Sequence, residues 1–131
     1  MSYMDIQRMT ACNALQPVYM AKALLPMMLA RGHLGAMVVT SSVAAIRGTP
    51  QLCTYAATKT FASFIFEGLN YELKGKIDCL NWMPGSVDTK MLRASVKPSP
   101  GTPNTYRAVR GALRDLGKES TTNGAFYHTF E

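Results

Sequence analysis

Tyr55 and Lys59 lie four residues apart, in a segment whose composition predicts a helix. Residues at this spacing share one helical face, with their β-carbons about 5–6 Å apart. An ammonium so close favours the deprotonated form of the phenol. A tyrosine in that setting can exchange a proton near neutral pH, as a general acid or base must. An ordinary pair of exposed side chains has the same spacing, so the surroundings of the pair decide between the two interpretations.

Two segments are expected to end at the same edge of a parallel sheet. Ser42 lies thirteen residues before Tyr55 and follows an apolar run over residues 36–40. Ligand sites of α/β sheets lie at the carboxyl ends of the strands. A hydroxyl there could donate to a substrate carbonyl oxygen and stabilise it as negative charge develops. Residues 84–89 follow the next predicted strand. A plain strand-ending serine, as Ser41 illustrates, and a simple turn are the alternatives.

Asn13 lies four residues before Pro17 in the first predicted helix. Proline has no N–H, so it cannot bond to the carbonyl of Asn13 as a helix would require. That carbonyl is then available for another partner, such as an ordered water. A harmless kink explains the pattern equally well.

The elements that would position these residues alternate between helix and strand. We expect a helix over residues 5–31, ended by Gly32 and Gly35, and a strand over 36–40 that is buried on both faces. A helix over 54–73 and a strand over 77–83 follow, closed by Pro84 and Gly85. This alternation predicts an α/β fold with parallel strands and right-handed crossovers.

The remaining residues are expected to complete the sheet. Residues 90–101 are polar and predict a mobile segment, and a helix over 102–116 would have Thr102 as its cap and Pro103 in its first turn. Asn123 and Gly124 would turn into a third strand over 125–130. Strand 36–40 is apolar like a central strand, yet no preceding strand pairs with it. The unpaired edge predicts association with another strand.

Composition excludes several classes of protein. A chain of 131 residues with 47% hydrophobic and 17% charged residues is expected to fold as one domain. Its net charge is +6, and the basic residues are scattered along the sequence except for a group on one helical face. We expect these side chains to be solvated rather than to bind nucleic acid. The three widely spaced cysteines argue against a disulfide framework or a metal site and favour a reducing compartment. No signal peptide or membrane-spanning run is evident. The basic helical face consists of Arg107, Arg110 and Arg114.

The residues together resemble the short-chain dehydrogenase/reductase family. Four of them match its catalytic tetrad in order and spacing, and Pro84-Gly85-x-Val87-x-Thr89 and Asn123-Gly-Ala-Phe-Tyr-His128 extend the match. The residues of these motifs are most similar to those of the branch that contains very-long-chain 3-oxoacyl-CoA reductases and β-hydroxysteroid dehydrogenases. The resemblance implies that residues 1–131 form the C-terminal half of a Rossmann-type doubly wound sheet, with about three parallel strands and flanking helices. The tetrad residues are Asn13, Ser42, Tyr55 and Lys59.

The resemblance also implies a role for each of these residues. Tyr55 would protonate a substrate carbonyl oxygen held by Ser42 while hydride arrives from the nicotinamide. Lys59 would tune Tyr55 and bind the nicotinamide ribose, and the carbonyl of Asn13 would hold a water of a proton relay. The implied cofactor is NADP(H), with NAD(H) left open, and the implied substrate is an apolar 3-oxoacyl-CoA or steroid-like ketone. Tyr55 and Lys59 would share the cofactor site with Pro84, Gly85, Val87 and Thr89.

One feature of the family has no counterpart in this sequence. The Thr-Gly-x-x-x-Gly-x-Gly loop that receives the cofactor pyrophosphate is absent. We therefore expect weak or no cofactor binding by this chain alone, and two hypotheses stay open. The chain is either part of a reductase that needs a complementing N-terminal half, or a degenerate, non-catalytic half-domain that serves as an interaction subunit. Dimerisation through the first two helices and a cytoplasmic or endoplasmic-reticulum location are further implications of the family.

Overall fold

The computed structural model describes residues 1–99 and 101–124. In this part of the chain, helices alternate with a three-stranded sheet, as the sequence predicts. The helices are α1 (Tyr3–Thr10), α2 (Gln16–Ala30), α3 (Cys53–Glu72), α4 (Lys90–Arg93) and α5 (Thr105–Asp115). The strands are β1 (Gly35–Thr40), β2 (Ile77–Trp82) and β3 (Thr121–Thr122).

The first predicted helix is confirmed, but it is not uniformly α-helical. Ser2 caps its start and exchanges hydrogen bonds with Asp5. A π-helical segment, Ala11–Leu15, separates α1 from α2, and the Gln16 N–H donates to the carbonyl of Ala11, five residues back. Pro17 is the second residue of α2 and has no N–H to donate to the preceding turn. The wider π-helical turn therefore occurs where the regular α-helical hydrogen bond is missing.

The strands are parallel, with β2 in the middle of the order β1-β2-β3. Val39 pairs with Asn81, and Asn81 pairs with Thr121 on its other side. The predicted parallel α/β arrangement is therefore confirmed. The third strand, however, precedes Asn123 rather than following Gly124, and the predicted strand over residues 125–130 lies outside the described residues.

The expectation that β1 is buried on both faces is wrong for the described part of the chain. Met37 and Val39 pack against Ala21 of α2 and Phe66 of α3 in the main core cluster. Successive strand residues point to opposite faces, so Ala36, Val38 and Thr40 point away from that cluster. They are exposed, Val38 by 40%.

Two expectations about residues 90–116 also need correction. The segment predicted to be mobile contains α4, whose start is capped by the Thr89 hydroxyl, which accepts the N–H of Leu92 at 3.2 Å. The cap of α5 is Asn104, not Thr102, and Pro103 lies before the helix. The Asn104 side chain accepts the N–H of Arg107 at 2.9 Å, whereas the Thr102 hydroxyl bonds to Ser99. Asparagine is among the best N-capping residues, and it stands nearest to the first turn.

Neither a membrane-spanning helix nor a cluster of metal ligands occurs in the part of the chain that the structure describes. Among the helices within residues 1–99 and 101–124, none combines the length and apolar content needed to cross a bilayer. The same residues hold no group of His, Cys, Asp and Glu side chains suited to a metal ion. All three cysteines are free, with Cys12 and Cys53 exposed and Cys79 buried.

Candidate active site

Tyr55 and Lys59 share one face of α3, as their spacing predicts. The Lys59 ammonium nitrogen lies 5.8 Å from the centre of the Tyr55 ring. Both side chains are half-buried rather than fully exposed. The Lys59 cation therefore stands beside the Tyr55 ring.

The Lys59 side chain is anchored to the sheet. Its ammonium donates to the carbonyl of Thr40, the last residue of β1, at 2.9 Å. Burial lowers the pKa of Lys59 below its ordinary value, and the nearby Cys12 acts in the opposite direction. One hydrogen bond thus joins the helix that carries the Tyr-Lys pair to the carboxyl end of β1.

Asn13 lies in the π-helical segment and reaches α3 through Thr58. The Asn13 amide donates to the Thr58 hydroxyl at 3.4 Å, and that hydroxyl donates to the carbonyl of Tyr55 at 2.7 Å. Thr58 is buried. The structure therefore connects Asn13 to the backbone of Tyr55 by two consecutive hydrogen bonds.

Ser42 lies directly beyond β1, at the edge of the sheet that the sequence predicts. Its hydroxyl accepts the N–H of Ala44 at 3.2 Å and so begins a short 3-10 turn, Val43–Ala45. The Thr60 hydroxyl of α3 donates to the carbonyl of Ala45 at 2.8 Å, which holds this turn against the helix. The turn that carries Ser42 is thus fixed to the same helix as Tyr55 and Lys59.

Residues 84–89 follow β2 at the same edge. The Val43 N–H donates to the carbonyl of Pro84 at 3.1 Å, so this segment begins beside the turn that follows Ser42. At its far end, Arg93 makes two hydrogen bonds to Asp88, of 2.6 and 2.8 Å. These bonds hold the pKa of the Asp88 carboxyl below its usual range. The Asp88 N–H donates to the carbonyl of Pro103 at 2.9 Å.

A groove of about 470 Å³ runs between α2 and β1. Asn13, Thr40 and Lys59 are among its polar lining residues, and apolar side chains of α2, β1 and α3 also line it. Ser42 and Tyr55 are not among its lining residues. Of the four predicted tetrad residues, Asn13 and Lys59 thus line this groove, whereas Ser42 and Tyr55 lie outside its lining.

Sequence reasoning missed a buried polar chain beneath these residues. The Ser41 hydroxyl donates to the carbonyl of Lys59 at 3.0 Å and shares a hydrogen bond of 2.7 Å with the Ser63 hydroxyl. The Asn81 side-chain oxygen, 3.3 Å from the Ser63 hydroxyl oxygen, is the alternative acceptor for the single Ser63 proton. One residue of this chain could have been predicted from the sequence. Asn81 is a polar residue inside an apolar strand, and a buried polar side chain requires a hydrogen-bond partner.

Comparison with known proteins decides the family. A family model described as short chain dehydrogenase matches residues 1–99. The chain belongs to the short-chain dehydrogenase family. The match contains all four tetrad residues and the segment over residues 84–89, and the resemblance noted from the sequence is confirmed.

Several curated relatives of this short-chain dehydrogenase are very-long-chain 3-oxoacyl-CoA reductases. The chain is 39% identical to the very-long-chain 3-oxoacyl-CoA reductase of Anas platyrhynchos and 32% identical to that of Homo sapiens. These matches cover 95% and 94% of the chain, but only 40% and 39% of the relatives. The chain therefore spans about two fifths of the length of the curated proteins it matches.

Solved structures confirm the fold class. A short chain dehydrogenase from Burkholderia cenocepacia J2315 in complex with NADP superposes with a TM-score of 0.82 at 22% identity, over 95% of this chain and 53% of that one. A short-chain dehydrogenase from Sphingobium yanoikuyae in complex with NADPH gives 0.77 at 27% identity, over 88% and 46%. The sheet and its flanking helices thus have the Rossmann-type arrangement of the family.

Proposed function

We propose that this chain carries the proton-transfer part of an NAD(P)H-dependent reductase, which converts the ketone of a 3-oxoacyl-CoA or similar apolar substrate to a hydroxyl. Membership of an oxidoreductase family and the names of the curated relatives support carbonyl reduction. The observation that carries the proposal is the Lys59 ammonium 5.8 Å from the Tyr55 ring, at the carboxyl edge of the sheet.

In this proposal Tyr55 is the general acid. The Lys59 cation stabilises the phenolate that remains when Tyr55 gives its proton to the substrate oxygen. Ser42, fixed at the end of β1, donates a hydrogen bond to the same oxygen while negative charge develops on it. The backbone carbonyl of Asn13 would hold a water of the relay that returns a proton to the phenolate, while the Asn13 side chain is held against α3 by Thr58.

The residues of the sheet edge fit the nicotinamide end of the cofactor. When bound, the nicotinamide supplies the hydride. Lys59 and Tyr55 would bind the ribose, and Pro84, Gly85, Val87 and Thr89 would hold the carboxamide. The Thr89 hydroxyl already caps α4, so the cofactor would share this oxygen with the N–H of Leu92. We propose NADP(H) because two structural neighbours hold NADP and NADPH.

The sequence provides no glycine-rich loop for the pyrophosphate, so we propose that residues 1–131 act with an N-terminal half of the family fold. The test joins the N-terminal part of the Anas platyrhynchos relative, with its cofactor loop, to Met1 of this chain. NADPH consumption is then followed with a long-chain 3-oxoacyl-CoA. We expect turnover by the fusion and little or none by the chain alone.

Tyr55→Phe removes the proton that the mechanism needs, and we expect it to lower kcat of the fusion by about 10³-fold. Tyr71→Phe is the matched control, because it makes the same change on an exposed residue of α3 and should leave kcat unchanged. Activity of the Tyr55→Phe fusion within twofold of the unchanged fusion would remove Tyr55 from the mechanism.

A second candidate function is a non-catalytic interaction subunit. It is favoured by the outer edge of β1, with which no strand of the described residues pairs, and by exposed apolar residues on the first two helices, including Tyr19 at 66% and Met27 at 57%. This alternative predicts stable association of the chain in sedimentation experiments and no binding of nicotinamide cofactors. Tight binding of NADPH by the isolated chain in calorimetry would exclude it.

A further inference from the structure

The two serines at the end of β1 have different surroundings. Ser42 is half-buried and its hydroxyl caps its own turn. Ser41 is 2% exposed, and its hydroxyl points into the interior against α3. Side chains of adjacent residues in an extended segment point to opposite faces. The Ser41 hydroxyl is therefore the inner one of the pair, and the Ser42 hydroxyl is the outer one.

Lys59 is bound to two consecutive residues of this strand end. Its ammonium donates to the carbonyl of Thr40 at 2.9 Å, and its own carbonyl accepts the Ser41 hydroxyl at 3.0 Å. The first bond fixes the far end of the side chain and the second fixes the backbone from which it extends. The position of the ammonium beside Tyr55 therefore depends on both bonds.

The inner hydroxyl is itself held on its other side. Ser63, one turn beyond Lys59 on α3, has its hydroxyl oxygen 2.7 Å from that of Ser41 and 3.3 Å from the Asn81 side-chain oxygen of β2. When the Ser41 proton goes to the Lys59 carbonyl, the single Ser63 proton goes to one of these two acceptors. Ser63 and Asn81 are 6% and 3% exposed. Within the described residues, no buried side-chain nitrogen or oxygen lacks a hydrogen-bond partner. The bond from Ser41 to the Lys59 carbonyl is direct and does not pass through Ser63 or Asn81.

We propose that Ser41 is a positioning residue, which sets the register of α3 against β1 through the Lys59 carbonyl and so places the Lys59 ammonium beside Tyr55. Ser41 itself touches neither substrate nor cofactor in this assignment. Its relevance to catalysis depends on the proposed function, but its effect on Lys59 does not.

The test measures the titration of Lys59 in the isolated chain by pH-dependent competitive acetylation and mass spectrometry. Ser41→Ala removes the bond to the Lys59 carbonyl. We expect Lys59 to become more exposed, so that burial lowers its pKa less and the midpoint of its titration rises. Ser63→Ala is the matched control, because it deletes a hydroxyl of the same polar chain and leaves the Ser41 bond to Lys59 in place. We expect no change of the Lys59 midpoint in that variant.

An unchanged Lys59 midpoint in Ser41→Ala, or an equal shift in Ser63→Ala, would overturn the proposal. Far-ultraviolet circular dichroism checks that both variants fold. If Ser41→Ala does not fold, Ser41→Cys takes its place, since a thiol is of similar size and a weaker donor. It should shift the midpoint in the same direction by a smaller amount, and no shift would count against the assignment.

The fusion with the N-terminal part of the relative separates this inference from the proposed function. There we expect Ser41→Ala to lower kcat about tenfold and to displace its pH profile, whereas Ser63→Ala changes kcat less than twofold. If Ser41→Ala shifts the Lys59 titration midpoint but the fusion shows no turnover, the result would contradict the proposed function and support the positioning role of Ser41.

Discussion

The backbone of Gly124 lies where a side chain on Gly111 would have to be. A β-carbon built on Gly111 of α5 meets the carbonyl carbon of Gly124 and its oxygen. Gly124 has a φ of +75°, and a β-carbon there would meet the indole nitrogen of Trp82 at 2.6 Å. Two glycines thus let α5 approach the chain that follows β3, and only glycine fits this contact without displacing backbone atoms.

Gly111→Ala is therefore expected to destabilise the protein by about 3 kcal/mol or more, because overpacking here must move backbone rather than the end of a side chain. This outcome opposes intrinsic helix propensity, which favours alanine over glycine by about 1 kcal/mol. The measurement is urea unfolding followed by circular dichroism and by the fluorescence of Trp82, the single tryptophan.

Gly68→Ala provides the control for that substitution. Gly68 lies inside α3, and a β-carbon there meets nothing within 4 Å. We expect this variant to be more stable by about 0.5–1 kcal/mol. Stabilisation by both substitutions would contradict the close contact between Gly111 and Gly124.

Thr58→Val tests the connection between Asn13 and Tyr55. Valine keeps the size of threonine and removes the hydroxyl, so the Asn13 amide loses the acceptor that it uses at 3.4 Å. We expect the free energy of unfolding to fall by about 1 kcal/mol. Thr54→Val, the same change at a less buried residue of α3, should stay within about 0.5 kcal/mol of the unchanged chain. Equal stability of the two variants would indicate that this hydrogen bond contributes nothing.

Cys79 is expected to differ chemically from the two exposed cysteines. Burial, with a smaller contribution from the charge of Asp78, raises the pKa of the Cys79 thiol to about 11. At pH 8 a disulfide reagent should therefore titrate Cys12 and Cys53 in the folded chain and reach Cys79 only after unfolding. Rapid reaction of all three thiols in the folded protein would show that Cys79 is accessible.

The raised pKa of Cys79 also predicts how stability changes with pH. The unfolded chain loses the thiol proton near the ordinary value of 9.0, while the folded chain retains it to about pH 11. The folded state therefore binds more protons in this interval, so the contribution of Cys79 to stability decreases as pH rises above about 9. Urea unfolding of Cys79→Ala should show a flatter dependence over the same interval, and an unchanged slope would contradict the assignment.

The sequence by itself determined the alternation of helices and strands up to residue 83, the parallel sheet and the family, and it predicted four tetrad residues that stay a prediction. These features depend on local information: apolar runs of a given length, glycine and proline at the ends of elements, and spacings of four and thirteen residues. Pro17 also indicated an irregular turn beside Asn13, because a missing N–H can be read from a single residue.

Only the tertiary structure decided which of two adjacent serines faces the interior, since strand alternation does not say which side the helices cover. The same limit explains the exposed face of β1, which depends on α2 and α3 packing on one side of it. Asn104 rather than Thr102 caps α5. The sequence does not distinguish them because both are favourable N-capping residues and lie two positions apart. The contact of Gly111 with Gly124 and the bonds of Lys59 to Thr40 and Ser41 join residues distant in the chain, and their geometry exists only once the elements have packed.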